Sequence, residues 1–293
     1  MGLNSPPMTV PASTLFCFGL GYSAKVLAAR LRHGGFRVTG TNRAPALDPD
    51  ARAFDAQHPF QDGWLEGVTH LLISIPPDAA GDPVLRDAGA SLARRAGQFT
   101  WVGYLSTTGV YGDHGGGWVD EDTQVHPGPG RSTWRARAEA GWLALHREHG
   151  LPVHIFRLAG IYGPGRNALV NVLAGTARRI DAPGQLFSRI HVEDIATVLQ
   201  ASIARPNPGR IYNVCDDEPA AGADVTAYAC ALAGAAAPPL VPLAEAGLSP
   251  MARSFYRDNR RVRNDRIKHE LGVRLAYPSY REGLSALWSG MRT

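Results

Sequence analysis

A glycine-rich turn near the start of the chain has the residue types and spacing of a phosphate-binding loop. The run Gly-Leu-Gly-Tyr-Ser-Ala, which begins at Gly19, fits the pattern Gly-x-Gly-x-x-Gly/Ala. Gly19 permits a tight turn after a strand, Gly21 lets the backbone approach a pyrophosphate, and Ala24 lets the next helix pack close to the sheet. Tyr22 and Ser23 lie at the start of that helix, whose free N–H groups attract phosphate. We therefore expect these five residues to bind a dinucleotide; a turn needed only for packing is the alternative.

The end of the second predicted strand indicates which dinucleotide is bound. An acidic residue at this place accepts a hydrogen bond from the ribose 2′-OH of NAD and repels the 2′-phosphate of NADP. The sequence here is Thr41-Asn42-Arg43, and the next acid is Asp48. Arg43 carries a planar fork of donors that suits phosphate. We expect Asn42 and Arg43 to contact the cofactor and NADP to be favoured, with NAD possible; a solvent-exposed Arg43 without a ligand is the alternative.

Strands and helices alternate along most of the chain. Residues 14–43 read strand, glycine turn, helix and strand, which is a βαβ unit of ordinary size. This alternation predicts an α/β protein with a Rossmann-type, doubly wound parallel sheet and a smaller C-terminal lobe. Further strands are predicted at 70–77, 99–108, 152–163 and 210–219, and further helices at 83–95, 132–150 and 189–203.

The pattern also predicts how the chain is divided. We expect a disordered tail over 1–13 and an NAD(P)-binding domain over 14–175, to which 189–218 returns. A smaller lobe over 219–293 is expected to help bind the substrate, because the composition there changes to Ala, Pro and then basic residues. No motif within 222–250 identifies that substrate.

Composition excludes several other classes of protein. The net charge of +4 is too small to indicate nucleic-acid binding, and the basic stretch 253–274 is interleaved with acids. No run of about 18 apolar residues predicts a membrane span, and the first ten residues have no signal-peptide pattern. The three cysteines, Cys17, Cys215 and Cys230, form no metal or disulfide pattern and are expected to be reduced. A cytoplasmic protein with a small-molecule substrate is expected, and an oligomer is possible.

Several segments together resemble one known family. They are the glycine turn, LSTTGVYG at 105–112, RLAGIYGPGR at 157–166, RIHVEDIA at 189–196 and the tail at 260–284. In this order, over about residues 14–288, they resemble the extended and atypical short-chain dehydrogenase/reductase proteins, also called the NAD-dependent epimerase/dehydratase family. Within it, the chain looks closest to a small bacterial subgroup of YeeZ-like proteins. The resemblance implies a Rossmann fold that binds NAD or NADP.

The resemblance also implies roles for individual residues. In the family, a Ser or Thr hydrogen-bonds the substrate oxygen, and here Thr107 occupies its place. A Tyr then acts as acid/base, and a Lys four residues later binds the nicotinamide ribose. Glu139, which in the family follows that Lys by four residues, puts Arg131 at the Tyr position and Arg135 at the Lys position. Pro164 matches the residue that borders the nicotinamide.

This substitution of both residues changes the expected chemistry. A guanidinium group keeps its proton at neutral pH, so Arg131 cannot act as the acid/base. Arg135 can still donate hydrogen bonds to a ribose or a phosphate, so Thr107 and Arg135 remain candidates for both catalysis and cofactor binding. The sequence therefore places the proton relay of the family in doubt, but not its cofactor site.

Other residues near this segment could transfer a proton. The nearby phenols are Tyr104, Tyr111 and Tyr162, of which Tyr111 belongs to the VYG motif and usually packs in the core. His114 lies in a glycine-rich loop, and an imidazole titrates close to neutral pH. We take His114 as a speculative catalytic candidate, with a solvated loop histidine as the alternative. No metal site is expected.

Three functions are compatible with these features. The first is an NADP-dependent oxidoreductase that lacks the Tyr-x-x-x-Lys pair and acts on an unknown substrate. The second is a sugar-nucleotide epimerase or dehydratase, against which the missing Tyr argues. The third is a non-catalytic NADP-binding sensor or scaffold protein.

Overall fold

The computed structural model describes residues 13–43 and 48–292, so nearly all of the tail predicted at 1–13 lies outside the described residues. The strands are, in chain order, β1 (Thr14–Phe18), β2 (Arg37–Thr41), β3 (Ala51–Arg52), β4 (His70–Ile73), β5 (Trp101–Thr107), β6 (Trp118–Val119), β7 (Val153–Leu158), β8 (Gly160–Tyr162), β9 (Arg179–Asp181), β10 (Arg189–His191), β11 (Ile211–Val214), β12 (Leu240–Pro242) and β13 (Arg261–Val262). The helices are α1 (Tyr22–His33), α2 (Pro83–Arg94), α3 (Arg131–His149), α4 (Ala168–Leu173), α5 (Val192–Ala204), α6 (Gly222–Ala233), α7 (Pro250–Ser254), α8 (Asp265–Leu271) and α9 (Tyr280–Arg292).

Seven strands form a central sheet that is parallel throughout, in the order β11-β7-β5-β4-β1-β2-β3. Strands β4 and β7 are buried along their whole length, as expected for strands covered by helices on both faces. The predicted doubly wound α/β fold is therefore confirmed. The strand order reverses between β1 and β4, which is where an open α/β sheet forms its ligand-binding crevice.

Helices cover the two faces of the sheet and bury a separate apolar core on each. On one face, Leu27 of α1, Ile195 of α5 and Ile267 of α8 belong to the same buried cluster. On the other face, Val84 of α2 and Trp142 of α3 pack into a second cluster. Because α1 and α2 follow β1 and β4 onto opposite faces, the loops after these two strands separate and leave a gap between them.

A smaller lobe has an apolar core of its own. Leu169 of α4, Val225 of α6 and Leu284 of α9 are buried together there, and β9 pairs with β12 beside them. The lobe thus begins within the range 14–175 predicted for the first domain. The C-terminal residues are shared between the two parts, because Leu271 of α8 packs against the central sheet and not in the lobe.

The apolar run at 152–163, predicted as one strand, forms two. Its first half, β7, lies in the central sheet, and its second half, β8, pairs with β10 in a separate two-stranded sheet. The same pairing makes 189–191 a strand, and α5 begins only at Val192. A continuous apolar run carries no signal for the point at which the neighbouring strand changes, so the division could not be read from the sequence.

Two further expectations concern the cysteines and the membrane. All three cysteines are buried and free. Burial raises the pKa of the Cys17 thiol to about 12, which leaves it unreactive. Within 13–43 and 48–292, no helix is both long enough and apolar enough to cross a bilayer.

Candidate functional site

A cavity of about 810 Å³ opens at the carboxyl ends of β1, β4, β5 and β7, at the point where the strand order reverses. The residues that matter below are contributed by the glycine turn, the end of β5, the start of α3, the loops around β8 and β10, and the segment after α7. They are Gly21, Tyr22, Ser23, Ser74, Thr107, Gly109, Arg131, Ser132, Arg135, Tyr162, Arg166, Arg189, Ser254, Phe255, Arg257, Asp258 and Arg260.

The glycine turn that follows β1 is held against the neighbouring strands. Gly19 has φ of +93°, and a Cβ there would lie 2.8 Å from Ser74 Oγ, so only glycine fits. The Gly19 N–H donates to Thr41 Oγ1 at 2.9 Å, and Ser74 Oγ donates to the Gly19 carbonyl. The turn is therefore fixed to β2 on one side and to the end of β4 on the other.

The start of α1 has the open geometry that a pyrophosphate needs. A Cβ at Gly21 would meet no atom within 4 Å, and Gly21 itself lines the cavity. No side chain caps α1, and its first turn contains no acid, so its N–H groups and positive end face open space. Ser23 and Ala24 are buried under the turn. These residues fit a dinucleotide.

The remaining residues predicted for the cofactor lie around this turn. Tyr22 donates its hydroxyl hydrogen to the Pro164 carbonyl at 3.0 Å, which joins the glycine turn to the loop after β8. Pro164 is exposed and does not line the cavity. Arg43 is exposed just beyond β2, and the Asn42 N–H donates to the Arg52 carbonyl at 2.9 Å.

Two hydroxyl groups lie together at the end of β5. Thr107 Oγ1 accepts a hydrogen bond from the Gly109 N–H at 3.1 Å and begins the short 3-10 helix Thr108–Tyr111. A Cβ placed on Gly109 would lie 3.3 Å from Thr107 Oγ1 and 3.1 Å from Ser132 Oγ. Both side chains line the cavity. Ser132, which sequence reasoning missed, therefore offers a second hydroxyl beside Thr107.

Arg135 extends from α3 to β5 beneath these hydroxyls. Its guanidinium donates to the Leu105 carbonyl and, at 3.2 Å, to the Tyr104 hydroxyl. It also lines the cavity, so a fixed positive charge lies close to Thr107.

A buried ion pair fixes α3 against the sheet behind Arg135. Arg157 of β7 donates twice to Glu139 of α3, and the shorter of these contacts, from Nη2 to Oε2, is 2.7 Å. Ser106 of β5 donates to the other carboxylate oxygen at 2.5 Å. Both members of the pair are about 4% exposed. Residues of β5, β7 and α3 are thereby joined directly beneath the cavity.

The three nearby phenols are all engaged away from the cavity centre. Tyr111 donates to Asn213 Oδ1 at 2.8 Å in the interior, and its burial raises its pKa to about 12. Tyr162 donates to the Ser279 carbonyl at 3.2 Å, and Tyr104 is completely buried and accepts from Arg135. Burial raises the pKa of both Tyr104 and Tyr162.

Of the two remaining candidates, Arg131 lines the cavity and His114 does not. His114 is half-buried in its loop, where a ring nitrogen lies 3.2 Å from the Tyr111 carbonyl, and it does not line the cavity. Arg131 does line it, at the mouth. Its guanidinium packs 5.5 Å from the ring centre of Phe255 and donates to Ser254 Oγ at 3.4 Å.

Arginines dominate the charge of the cavity wall, which sequence reasoning did not anticipate. Besides Arg131 and Arg135, the wall contains Arg166, Arg189, Arg257 and Arg260. Asp258 is the one acid among the described lining residues, and it pairs with Arg260. The cavity therefore favours a negatively charged occupant. No group of His, Cys, Asp and Glu within 13–43 and 48–292 could hold a metal ion.

The sheet order, the glycine turn and the cavity at the switch point together define a Rossmann-type fold. Comparison with known proteins gives the same class more narrowly. Residues 90–215 match the NAD-dependent epimerase/dehydratase family. This match spans less than half of the chain, and together with the curated relatives below it supports a protein of the extended short-chain dehydrogenase/reductase type.

Two curated relatives are similar over most of the chain. Protein YeeZ of Escherichia coli is 27% identical over 225 residues, which are 67% of this chain and 75% of YeeZ. The 3-diazoavenalumate denitrifying reductase of a Streptomyces species is 29% identical over 269 residues, which are 82% of this chain and 84% of that enzyme.

Solved structures also resemble the chain. A conserved protein of unknown function from Silicibacter pomeroyi superposes with a TM-score of 0.89 at 54% identity, covering 95% of this chain and 99% of its own. The dTDP-glucose 4,6-dehydratase of Bacillus anthracis, solved in complex with NAD, gives a TM-score of 0.73 at 17% identity and covers 96% of each chain. At that identity the second likeness shows the shared fold alone.

Glu139→Gln should destabilise the protein by about 3–5 kcal/mol, because it leaves the charge of Arg157 buried without its partner. The free energy of unfolding, measured in urea, tests this, with the exposed Glu66→Gln as the matched control. A loss from Glu139→Gln as small as that of the control would show that the pair contributes little to the fold.

Proposed function

We propose that this chain is an NADP-dependent oxidoreductase of the short-chain dehydrogenase/reductase type that works without the Tyr-x-x-x-Lys pair. The observation that carries the proposal is the single cavity wall shared by Gly21, Thr107 and Arg135. A turn suited to pyrophosphate and a hydroxyl suited to a substrate oxygen thus face the same space, at the crevice where this fold binds its ligands.

The glycine turn and the start of α1 would hold the cofactor pyrophosphate. Gly21 leaves the backbone N–H groups of α1 accessible, and Tyr22 covers the turn from the lobe side through its hydrogen bond to Pro164. Arg135, fixed by the Leu105 carbonyl, would donate to the ribose on the nicotinamide side. These contacts would place the nicotinamide beside Thr107.

Charges near the end of β2 support NADP over NAD. Arg43 is exposed, and among the described residues it forms no ion pair with an acid. The acids that follow are already neutralised, because Asp48 lies 3.8 Å from Lys25 Nζ and Asp50 lies 2.8 Å from an Arg32 guanidinium nitrogen. A 2′-phosphate at this place would therefore meet net positive charge.

A bound reduced nicotinamide supplies a hydride to the substrate. Thr107, with Ser132 beside it, would donate a hydrogen bond to the substrate oxygen and so stabilise the negative charge that develops there. The nearby guanidinium of Arg135 would stabilise the same charge. The proton would come from water at the open mouth, since each nearby phenol is engaged elsewhere.

A non-catalytic NADP-binding protein is the second candidate. The hydrogen bonds of Tyr104, Tyr111 and Tyr162 favour it, because each of these three hydroxyl groups is already engaged by the protein. A sugar-nucleotide epimerase or dehydratase is the third candidate. The relatives with such activities support it, but the phenol that would take the proton from a sugar hydroxyl is absent here.

Gly21→Val should abolish NADPH binding while the protein stays folded. The new side chain would fill the space that a pyrophosphate needs, but its Cβ would meet no atom within 4 Å, and the backbone φ of −95° is ordinary for any residue. Calorimetric titration with NADPH, combined with thermal unfolding, tests this. Gly97→Val, at another open glycine outside the cavity, is the control. Normal NADPH affinity in a folded Gly21→Val protein would make the turn purely structural.

The protein should bind NADPH about tenfold to a hundredfold more tightly than NADH, because one charge-assisted contact is worth about 1.5–3 kcal/mol. Arg43→Ala should remove this preference. Arg37→Ala, an exposed arginine at the other end of β2, should not. Nicotinamide fluorescence titration measures both affinities, and a preference that survives in Arg43→Ala would exclude Arg43 as its source.

Turnover tests the function itself. NADPH oxidation should be measured with a panel of aldehydes, ketones, oxo acids and sugar nucleotides. At least one should be reduced, and Thr107→Ala should slow that reduction while Thr100→Ala, an exposed threonine just before β5, should not.

Other outcomes of this panel would replace the proposal. Tight NADPH binding without turnover of any substrate would favour the sensor or scaffold protein. Turnover that survives Thr107→Ala but is lost in His114→Ala would place the chemistry in the glycine-rich loop instead.

A further inference from the structure

The sequence resemblance assigns Arg131 to the position of the acid/base tyrosine, and its surroundings suit a different task. The guanidinium carries five N–H donors, and the structure shows one weak hydrogen bond, to Ser254 Oγ at 3.4 Å. Within the described residues, Arg131 forms no ion pair with an acid. Most of its hydrogen-bonding capacity thus faces the cavity mouth and solvent.

A second cation lies on the opposite element of the same mouth. Arg257 follows α7, is exposed, and likewise has no acidic partner among the described residues. The other cations of the lobe-side wall are already engaged. Arg189 donates to the Phe187 and Ala220 carbonyls, and Arg260 donates to the Gly112 carbonyl and pairs with Asp258. Arg166, also without an ion pair in the described residues, packs over the Tyr22 ring beside the glycine turn. Arg131 and Arg257 are therefore the ones left available for a ligand at this mouth.

Two features of the adjoining wall indicate what that ligand looks like. The first turn of α3 has no acid and no side-chain cap, so its N–H groups add to the positive potential. Phe255 is 59% exposed beside the Arg131 guanidinium, although large apolar side chains of this kind are usually covered. An oxyanion next to a flat apolar group would satisfy both features.

The cavity mouth adjoins the hydroxyl groups of Thr107 and Ser132, which bears on where a substrate would carry its acidic group. Arg131 is followed directly by Ser132, whose hydroxyl lies close to the same point as Thr107 Oγ1. Arg131 lines the same cavity. A substrate oxygen held by these hydroxyls and an acidic group held by Arg131 would therefore belong to one molecule within this cavity.

We propose that Arg131, assisted by Arg257, anchors a carboxylate or phosphate group of the substrate. This inference rests on the proposed function, because it names a substrate class for the same site. The substitution that removes the acid/base of the family would thereby have provided a specificity determinant.

Three matched aromatic probes test the anchor without requiring turnover. They are phenylpyruvate, its neutral methyl ester and phenyl phosphate, each titrated calorimetrically into the protein with and without NADPH. Both anions should bind more tightly than the ester. Arg131→Gln should lower the affinity for both anions about tenfold to a hundredfold, because a charged hydrogen bond is lost. The affinity for the ester should not change. The tighter of the two anions shows whether a carboxylate or a phosphate is preferred.

Two further variants test whether a change in probe affinity comes from the Arg131 guanidinium itself. Arg131→Lys should retain part of the anion affinity, since it keeps a point charge but not the fork. Arg137→Gln, an exposed arginine six residues further along α3 and outside the cavity, should bind all three probes as the native protein does. If Arg131→Gln unfolds at a much lower temperature than the native protein, the affinities for the anions and the ester are compared in Arg257→Gln instead.

Some results would overturn the proposal. Equal binding of the anions and the ester to the native protein would do so, as would anion affinities that do not change in either glutamine variant. Failure of NADPH to bind or react, with anion affinity still dependent on Arg131, would instead refute the proposed oxidoreductase and leave the anion site standing.

Discussion

The buried pair of Glu139 and Arg157 is the interaction on which the geometry of the site depends. It lies beneath the cavity and joins the middle of α3 to β7, while Ser106 ties the same carboxylate to β5. A charge pair buried in this way is costly unless its hydrogen bonds are satisfied, so its orientation is tightly restricted. The first turn of α3, with Arg131 and Arg135, is thereby held over the end of β5.

The chemistry of the cavity follows from the side chains that α3 and β5 place along its wall. Arg131 and Arg135 line the cavity, and the sequence resemblance assigns their positions to a phenol and an ammonium group. Guanidinium groups cannot exchange a proton at neutral pH, but they bind and orient oxyanions well. The guanidinium groups give the cavity wall positive charge. Tight binding of acidic molecules and stabilisation of developing negative charge are the properties that such a wall can supply.

Sequence reasoning identified the features that are encoded locally. Gly19 and Gly21 were recognised because strand, turn and helix are contiguous, and the parallel sheet because its strands are buried apolar runs. The convergence of Arg166, Arg189 and Arg257 on one cavity could not be predicted. Each is separated from the next by many residues of chain, and each alone has the pattern of a surface arginine. Their meeting depends on how the lobe packs, which no short pattern encodes.

The strand order of the central sheet has a consequence for how the protein folds during its synthesis. Every neighbouring pair in the sheet is parallel, so each needs a crossover, and the edge strand β11 joins β7 only after more than fifty further residues. During synthesis, the backbone groups along one edge of β7 therefore have no strand to pair with until residue 214 has left the ribosome. Sheets with such distant pairings fold slowly, and an exposed edge invites association with other chains. Efficient production of this protein is thus expected to depend on the rate of translation and on chaperones.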